Sequence, residues 1–473
     1  MKVLSVASEC VPFVKTGGLA DVVGALPNAL AAEGVDMRVL LPGYPSVMRF
    51  AEGAKVLRTE DYFYGSGARL LFCEAEGISL YVLDAPHLYE RDGGIYLGPN
   101  GWDWSDNSER FAALSMMAVV MAEHGAGDWQ PDIVHGHDWQ AGFMPYYLRM
   151  TDPHIPNIVT IHNIAFHGLA PADRLGTLRL DPSDFSFDGF EFWGSISALK
   201  AGLTWADRVT TVSPNYAREL TRIEFGHGLD GLIRNRASGV SGILNGIDLD
   251  VWDPATDPAL VNRYKRPRGK AKNKAALRQE FGLPEADGPL CVVVSRLTGQ
   301  KGLDILLAAL PSLLEQGGQL ALLGSGEPEL EAGFLAAADN PNVGVRIDYD
   351  EALAHRLIAG GDAILVPSRF EPCGLTQLYA LRYGTIPVVA YTGGLVDSVI
   401  HASPMALASG TATGLHIYPL TADAMRMTFK DLAELFRDRD LWATMQRTAM
   451  AQPVGWEASA KAYAALYRDV LGH

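Results

Sequence analysis

The sequence predicts an α/β protein built from two doubly wound domains facing each other across a cleft. Three observations carry this. Short apolar strands alternate with amphipathic helical stretches, the pattern of βαβ units on parallel sheets. The rhythm pauses near Asn245 and restarts at Leu290. A glycine turn, KTGGLADVV at Lys15–Val23, returns nearly unchanged as TGGLVDSV at Thr392–Val399. At 473 residues the chain is long enough for two domains with a core each.

In the first half KVLSVAS, RVLLPG, ISLYVLDAP, DIVHGHD, NIVTIHN and RVTTVSP read as strands. Several end in Gly, Pro, Asp or His, as strands do when they open into functional loops. The second half repeats the pattern with LCVVVSRL, LALLGSG, VGVRIDY, AILVPSRF and IPVVAY. Between the halves NGIDLDVWDPATDP (Asn245–Pro258) is rich in turn formers and marks a hinge. The expected domains are 1–243 and 244–455, with a final helix, 456–473, packing back onto the first. Two such sheets bind ligands beyond the carboxyl ends of their strands. Each TGGL turn is then expected to present free amides at a helix start, where negative charge is favoured.

A formal charge of −16 disfavours nucleic acid as a partner. The basic run Arg263–Arg278 reads as a solvated loop entering a helix. No apolar run reaches the roughly 18 residues of a membrane span, so no membrane partner is expected. The N-terminus lacks a signal-peptide pattern. The four cysteines form no CxxC pair, which argues against a disulfide framework or zinc site and for the cytoplasm.

A dinucleotide enzyme would need G-x-G-x-x-G. LALLGSGEPE offers Gly324 and Gly326 but places Glu329 at the third glycine, so the oxidoreductase reading is weak. SRLTGQKGLDIL (Ser295–Leu306) sets Arg296 at a strand end and Lys301 at a helix start. Two such cations suit a diphosphate, although exposed Lys and Arg are common. In Val366–Ala390, Glu371 lies in a strand-to-helix loop and CGLT opens the helix. A carboxylate there can accept hydrogen bonds from sugar hydroxyls, while the amides of Gly374, Leu375 and Thr376 face a phosphate.

KTGGLADVVGALP, HGHDWQAG, TIHNIAF, LNGID..VW, SRLTGQKGLD and PSRFEPCGLTQLYALRYGTIPVV together resemble the bacterial, ADP-glucose-using glycogen synthases, kin of plant starch synthases. The resemblance runs from the first strand to the last helix. It implies a GT-B fold of two Rossmann-like domains, and a glucosyl transfer that retains the α configuration, from ADP-glucose to the non-reducing end of glycogen or a malto-oligosaccharide. It implies that Lys15 and Gly18 hold the donor's phosphate side. Arg296 and Lys301 would stabilise the leaving diphosphate with the amides of Leu375 and Thr376. His162 and Asn163 would line the glucose site, the His162 carbonyl near the anomeric carbon. Glu371, Cys373 and Gly374 would surround the glucose hydroxyls. Asp21, Asp138 and Asn245 are further carry-overs, and Tyr96 is implied on the nucleotide side.

This chain departs from the family pattern at Gln140, where relatives often carry His, and at Tyr391 and Val396, where Arg and Ala are common. Glu371 is followed eight positions on by Tyr379 rather than a second acid, as in the synthase branch. A retaining glycosidase would set two carboxylates about 5 Å apart, and no acid is convincingly placed to attack. The expected route is therefore front-face departure: cations and helix amides stabilise ADP, and the leaving phosphate takes the acceptor's proton. No cofactor and no metal are expected. A related transferase with another donor or acceptor, such as UDP-glucose, and more remotely a glucan-binding non-enzyme, are the alternatives.

Overall fold

The computed structural model describes residues 1–151, 153–236 and 239–472. Two compact units emerge: Met1–Asn245 together with Trp456–His473, and Gly246–Gly455. The chain thus passes between them after Asn245 rather than after position 243.

In the first unit β1 (Lys2–Val6), β2 (Asp36–Pro42), β3 (Lys55–Phe63), β4 (Ser66–Ala75) and β5 (Ile78–Asp84) come first. They are followed by β6 (Ile133–His137), β7 (Asn157–Ile161), β8 (Leu169–Pro171), β9 (Glu191–Phe192), β10 (Ser195–Ser197), β11 (Arg208–Thr211) and β12 (Val240–Gly242). Nine form one sheet in the order β12-β11-β7-β6-β1-β2-β5-β4-β3, and β8-β10-β9 form a small second one. From β12 to β5 the large sheet is parallel; β4 and β3 add an antiparallel edge. Strands β1, β6 and β7 are buried almost throughout, as parallel strands covered on both faces must be.

The helix Glu457–Leu471 buries Ala460, Tyr463, Ala464 and Tyr467 among Val3, Val22, Leu26, Leu30, Ile133 and Ile158. Each fully buried aromatic there contributes about 1.5–3 kcal/mol.

The second unit holds β13 (Leu290–Val294), β14 (Gln319–Leu323), β15 (Val343–Arg346), β16 (Ala363–Val366), β17 (Ile386–Ala390) and β18 (Leu415–Ile417). They form one sheet, β15-β14-β13-β16-β17-β18, parallel throughout. The strand order reverses between β13 and β16 here, and between β1 and β6 in the first unit. Connections leave such neighbours in opposite directions and open a crevice at their carboxyl ends.

The basic run is not wholly solvated. Lys270 is buried, its Nζ donating to the carbonyls of Ile358 (3.2 Å), Ala359 (2.8 Å) and Tyr383 (3.2 Å) and to Thr385 Oγ1 (2.6 Å). Burial pushes its pKa down to about 7. This lysine ties together the carboxyl ends of the helices Glu351–Gly360 and Thr376–Tyr383.

Candidate active site

In the second unit Arg296 and Lys301 follow β13, and Glu371 follows β16, so both loops open at the reversal point. Backbone and side-chain bonds fasten one to the other: Arg369 N donates to Gln300 O (2.9 Å) and Gln300 Nε2 to Phe370 O (3.1 Å). Arg369 also clamps Asp304 with both terminal nitrogens, at 2.6 and 2.7 Å. Gly302 turns the loop at φ +63°; a Cβ there would fall 1.9 Å from the Pro367 carbonyl oxygen. The result brings Lys301 Nζ to 2.5 Å from Glu371 Oε2, which also accepts from Ser368 Oγ at 2.8 Å. Glu371 is 8% exposed, and its Oε1 has no protein hydrogen bond among the described residues. Lys301, Ser368, Glu371, Gly374, Thr376 and Gln377 line one small cavity with the ends of β13 and β16.

The helix Thr376–Tyr383 starts there with no side-chain cap at Leu375, leaving its first-turn amides to an outside acceptor. Gly374, at φ +71°, makes the turn into it. Cys373 is buried and carries no disulfide. Arg296 is exposed and makes no ion pair among the described residues. Tyr379, the residue in place of a second acid, stacks on Trp252 at 3.7 Å between ring centroids.

The second TGGL turn braces this loop. Gly394 N donates to the carbonyls of Glu371 and Pro372, both at 3.1 Å. A Cβ on Gly393 would lie 1.8 Å from Glu371 O, and one on Gly394 2.3 Å from Cys373 O. The glycines let two backbones touch, so the amides expected to be free are occupied.

In the first unit the loops after β1, β6 and β7 adjoin. Glu9, buried, accepts from the amides of Thr16 (2.5 Å) and Gly17 (3.1 Å) and from the Tyr96 hydroxyl (3.0 Å), which also meets Ser8 Oγ at 2.7 Å. The expectation of free amides fails in part here too, because an internal carboxylate has taken two of them. The Tyr96 hydroxyl thereby helps orient that carboxylate. Gly18 opens the helix Gly18–Ala31, and Lys15 Nζ pairs with Asp21 Oδ1 at 2.7 Å.

Asp138 sits at φ +54° after β6. Its Oδ1 accepts the amides of His162 (2.6 Å) and Asn163 (3.2 Å), fixing the turn after β7. Burial pushes Asp138 up to about 7 against those two amides. His162 Nε2 lies 3.0 Å from His137 Nδ1, and burial, then the neighbouring His137, hold His162 well below the usual histidine range. Asn245 is buried, with Oδ1 lacking a partner among the described residues; Gln140 is in the same condition. Among the described residues no cluster of three or more His, Cys, Asp or Glu is arranged to hold a metal ion, and no helix is long and apolar enough to cross a membrane.

Residues 2–235 match the family model described as starch synthase catalytic domain, and residues 273–447 match glycosyl transferases group 1. A glycogen synthase from Paracoccus denitrificans is 58% identical over 468 residues, 98% of each chain. The chain belongs to the glycogen synthase family. It is a glycosyltransferase of GT-B architecture. The catalytic domain of starch synthase IV from Arabidopsis thaliana, solved with ADP and acarbose, superposes with a TM-score of 0.87 at 31% identity, covering 100% of this chain and 99% of that one. Sucrose-phosphate synthase from Thermosynechococcus elongatus shares the fold at TM-score 0.62 and 19% identity, covering 100% and 99%.

Set beside the residues that the family resemblance picked out, the structure adds Glu9, His137, Ser368 and Gln377. Gln377 Nε2 donates to the carbonyls of Cys373 (3.0 Å) and Gly374 (2.9 Å), holding the helix start in shape. Their signal in sequence was proximity to the motifs, with nothing in the residue types to set them apart.

Proposed function

We propose that the protein elongates an α-1,4-glucan, glycogen or a malto-oligosaccharide, by retaining transfer of glucose from ADP-glucose to the non-reducing end. The observation that carries this is the joined pair of loops at the β13/β16 reversal, where a lysine, an oriented carboxylate and an uncapped helix start share one cavity. The likeness to a starch synthase solved with ADP and acarbose supports the same ligand classes.

In this reading Arg296, Lys301 and the amides of Leu375 and Thr376 take the charge that develops on ADP, with Lys15 and Gly18 on the phosphate side. Glu371, Cys373, Gly374, His162, Asn163 and Asn245 hold the sugar. Asp21 and Asp138 act one step back, on Lys15 and on the His162 turn. The bond from the anomeric carbon to the phosphate oxygen breaks as the acceptor's 4-oxygen bonds to that carbon on the same face. The acceptor's proton goes to the departing phosphate. Preorganised donors aimed at such a leaving group supply most of the acceleration, so the residues need neither a nucleophile nor a resident metal. Four thiols without disulfides fit a reducing compartment, the cytoplasm.

Proton NMR of malto-oligosaccharide incubated with ADP-glucose and protein tests the chemistry. New α-1,4 resonances support it; β-linked or 1,6-linked products, or free glucose alone, would refute it.

A further inference from the structure

Two strands, β1 and β6, place a buried line of polar groups beneath His162. Ser5 on β1 and His137 on β6 are both fully buried. His137 Nε2 lies 3.1 Å from Ser5 Oγ, and His137 Nδ1 lies 3.0 Å from His162 Nε2. A third histidine, His135, packs against His137 with centroids 4.4 Å apart and the rings tilted by 32°. Both its nitrogens are engaged, Nδ1 with Tyr467 Oη (2.8 Å) and Nε2 with Thr160 Oγ1 (2.6 Å). His135 therefore holds the face of His137 without entering the line.

Burial keeps His137 and His162 neutral, so each ring carries one N–H, and which nitrogen holds it follows from its partners. Two patterns complete the line. In one, the Ser5 hydroxyl donates to His137 Nε2, His137 Nδ1–H donates to His162 Nε2, and His162 carries its proton on Nδ1. In the reverse, His162 Nε2–H donates inward and His137 Nε2–H donates to Ser5. The Ser5 hydroxyl proton is then buried with no acceptor, because Ser5 Oγ makes no other hydrogen bond among the described residues. Unsatisfied buried donors are rare and costly, so the first pattern prevails.

We infer that His137, anchored by Ser5, is a positioning residue that locks His162 in its Nδ1–H tautomer. The Nδ1 atom of His162 has no protein partner among the described residues. It becomes a fixed donor for an oxygen of the nucleotide sugar, an inference resting on the proposed placement of His162 at the donor.

The test uses the full chain with ring-15N histidine, His162 being assigned from a His162→Gln sample. Asn places an amide near the Nδ1 position of a histidine; Gln places one near Nε2. His137→Asn should therefore keep the donor to His162, and His137→Gln should lose it. Expected are a bare Nε2 and protonated Nδ1 on His162 in the native chain and in H137N. H137Q should mix tautomers and lose about tenfold or more in kcat, the KM for glucan holding, since a wrong tautomer disables a histidine whose geometry is intact. H137N should restore most of that loss. A protonated Nε2 on His162 in the native chain would overturn the inference, as would H137Q with native kcat and a single tautomer. Full activity in His162→Ala would instead strike the donor placement, and the ring shifts would still decide the tautomer.

Discussion

Lys301 Nζ stands 2.5 Å from Glu371 Oε2, and Ser368 Oγ reaches the same oxygen at 2.8 Å. One oxygen of the carboxylate is thereby fixed inside the protein, while Oε1 has no protein hydrogen bond among the described residues. The lysine proposed to meet a diphosphate also orients the acid proposed to hold the sugar, so the two proposed roles share a single contact.

Arg296 and Lys301 should therefore respond differently to truncation. Arg296→Ala removes an exposed cation with no ion pair among the described residues, so thermal stability should stay within about 0.5 kcal/mol, while kcat falls by about 3 kcal/mol in barrier terms. Lys301→Ala leaves Glu371 short of its counter-charge and should cost stability as well, about 1–3 kcal/mol. Steady-state kinetics beside calorimetry separates the two; native turnover in either variant contradicts the diphosphate assignment.

Glu371→Gln should lower kcat without trapping a sugar on the protein. The carboxylate is held by Lys301 and Ser368 at the sugar's hydroxyl rim in the proposed reading, which suits orientation rather than attack. Intact-mass measurement during turnover should show no glucosyl adduct on the native chain, and azide should not rescue the variant.

The two TGGL turns should separate under mutation. A Cβ at Gly17 meets nothing within 4 Å, whereas at Gly393, with φ +46°, it meets Glu371 O at 1.8 Å. Gly17→Ala should leave the melting temperature close to native. Gly393→Ala should destabilise by about 2 kcal/mol or more and lower kcat by displacing Glu371, though it deletes no reacting group.

Asp138 gives a pH prediction. Burial raises its folded pKa from 3.8 to about 7. A group raised in the fold stabilises it fully below the unfolded pKa, and that contribution is lost as pH climbs to the folded value. Native stability should thus decline between about pH 4 and 7, and Asp138→Asn, whose amide oxygen can still accept from His162 and Asn163, should flatten that decline. Denaturant midpoints across the range measure it.

Much of this was written in the sequence. The buried parallel strands announced themselves as apolar runs closed by Gly, Pro, Asp or His, because burial on both faces leaves little room for polar residues. The β3–β4 hairpin was missed: KVLRTEDYF is an edge strand with mostly exposed side chains, and its charges hide the alternation. The short strands β8, β9, β10, β12 and β18 carry two or three residues each, too few for a period to show. Lys270 read as a loop cation because its acceptors are backbone carbonyls, which no residue type reveals. The use of each TGGL turn was hidden for the same reason: whether an amide is free depends on Glu9, or on the Glu371 backbone, arriving beside it from elsewhere in the chain.

In the proposed reading the donor is ADP-glucose, and protein cations, amides and positioning suffice to release ADP. Purified protein, glycogen and EDTA, with ADP-glucose or UDP-glucose in parallel, test it by nucleotide release and glucose incorporated into polymer. Growth is expected from ADP-glucose with one ADP released per glucose added, undiminished by the chelator, and far slower growth from UDP-glucose. Growth from UDP-glucose alone, or activity abolished by EDTA and restored by Mg²⁺, would contradict it.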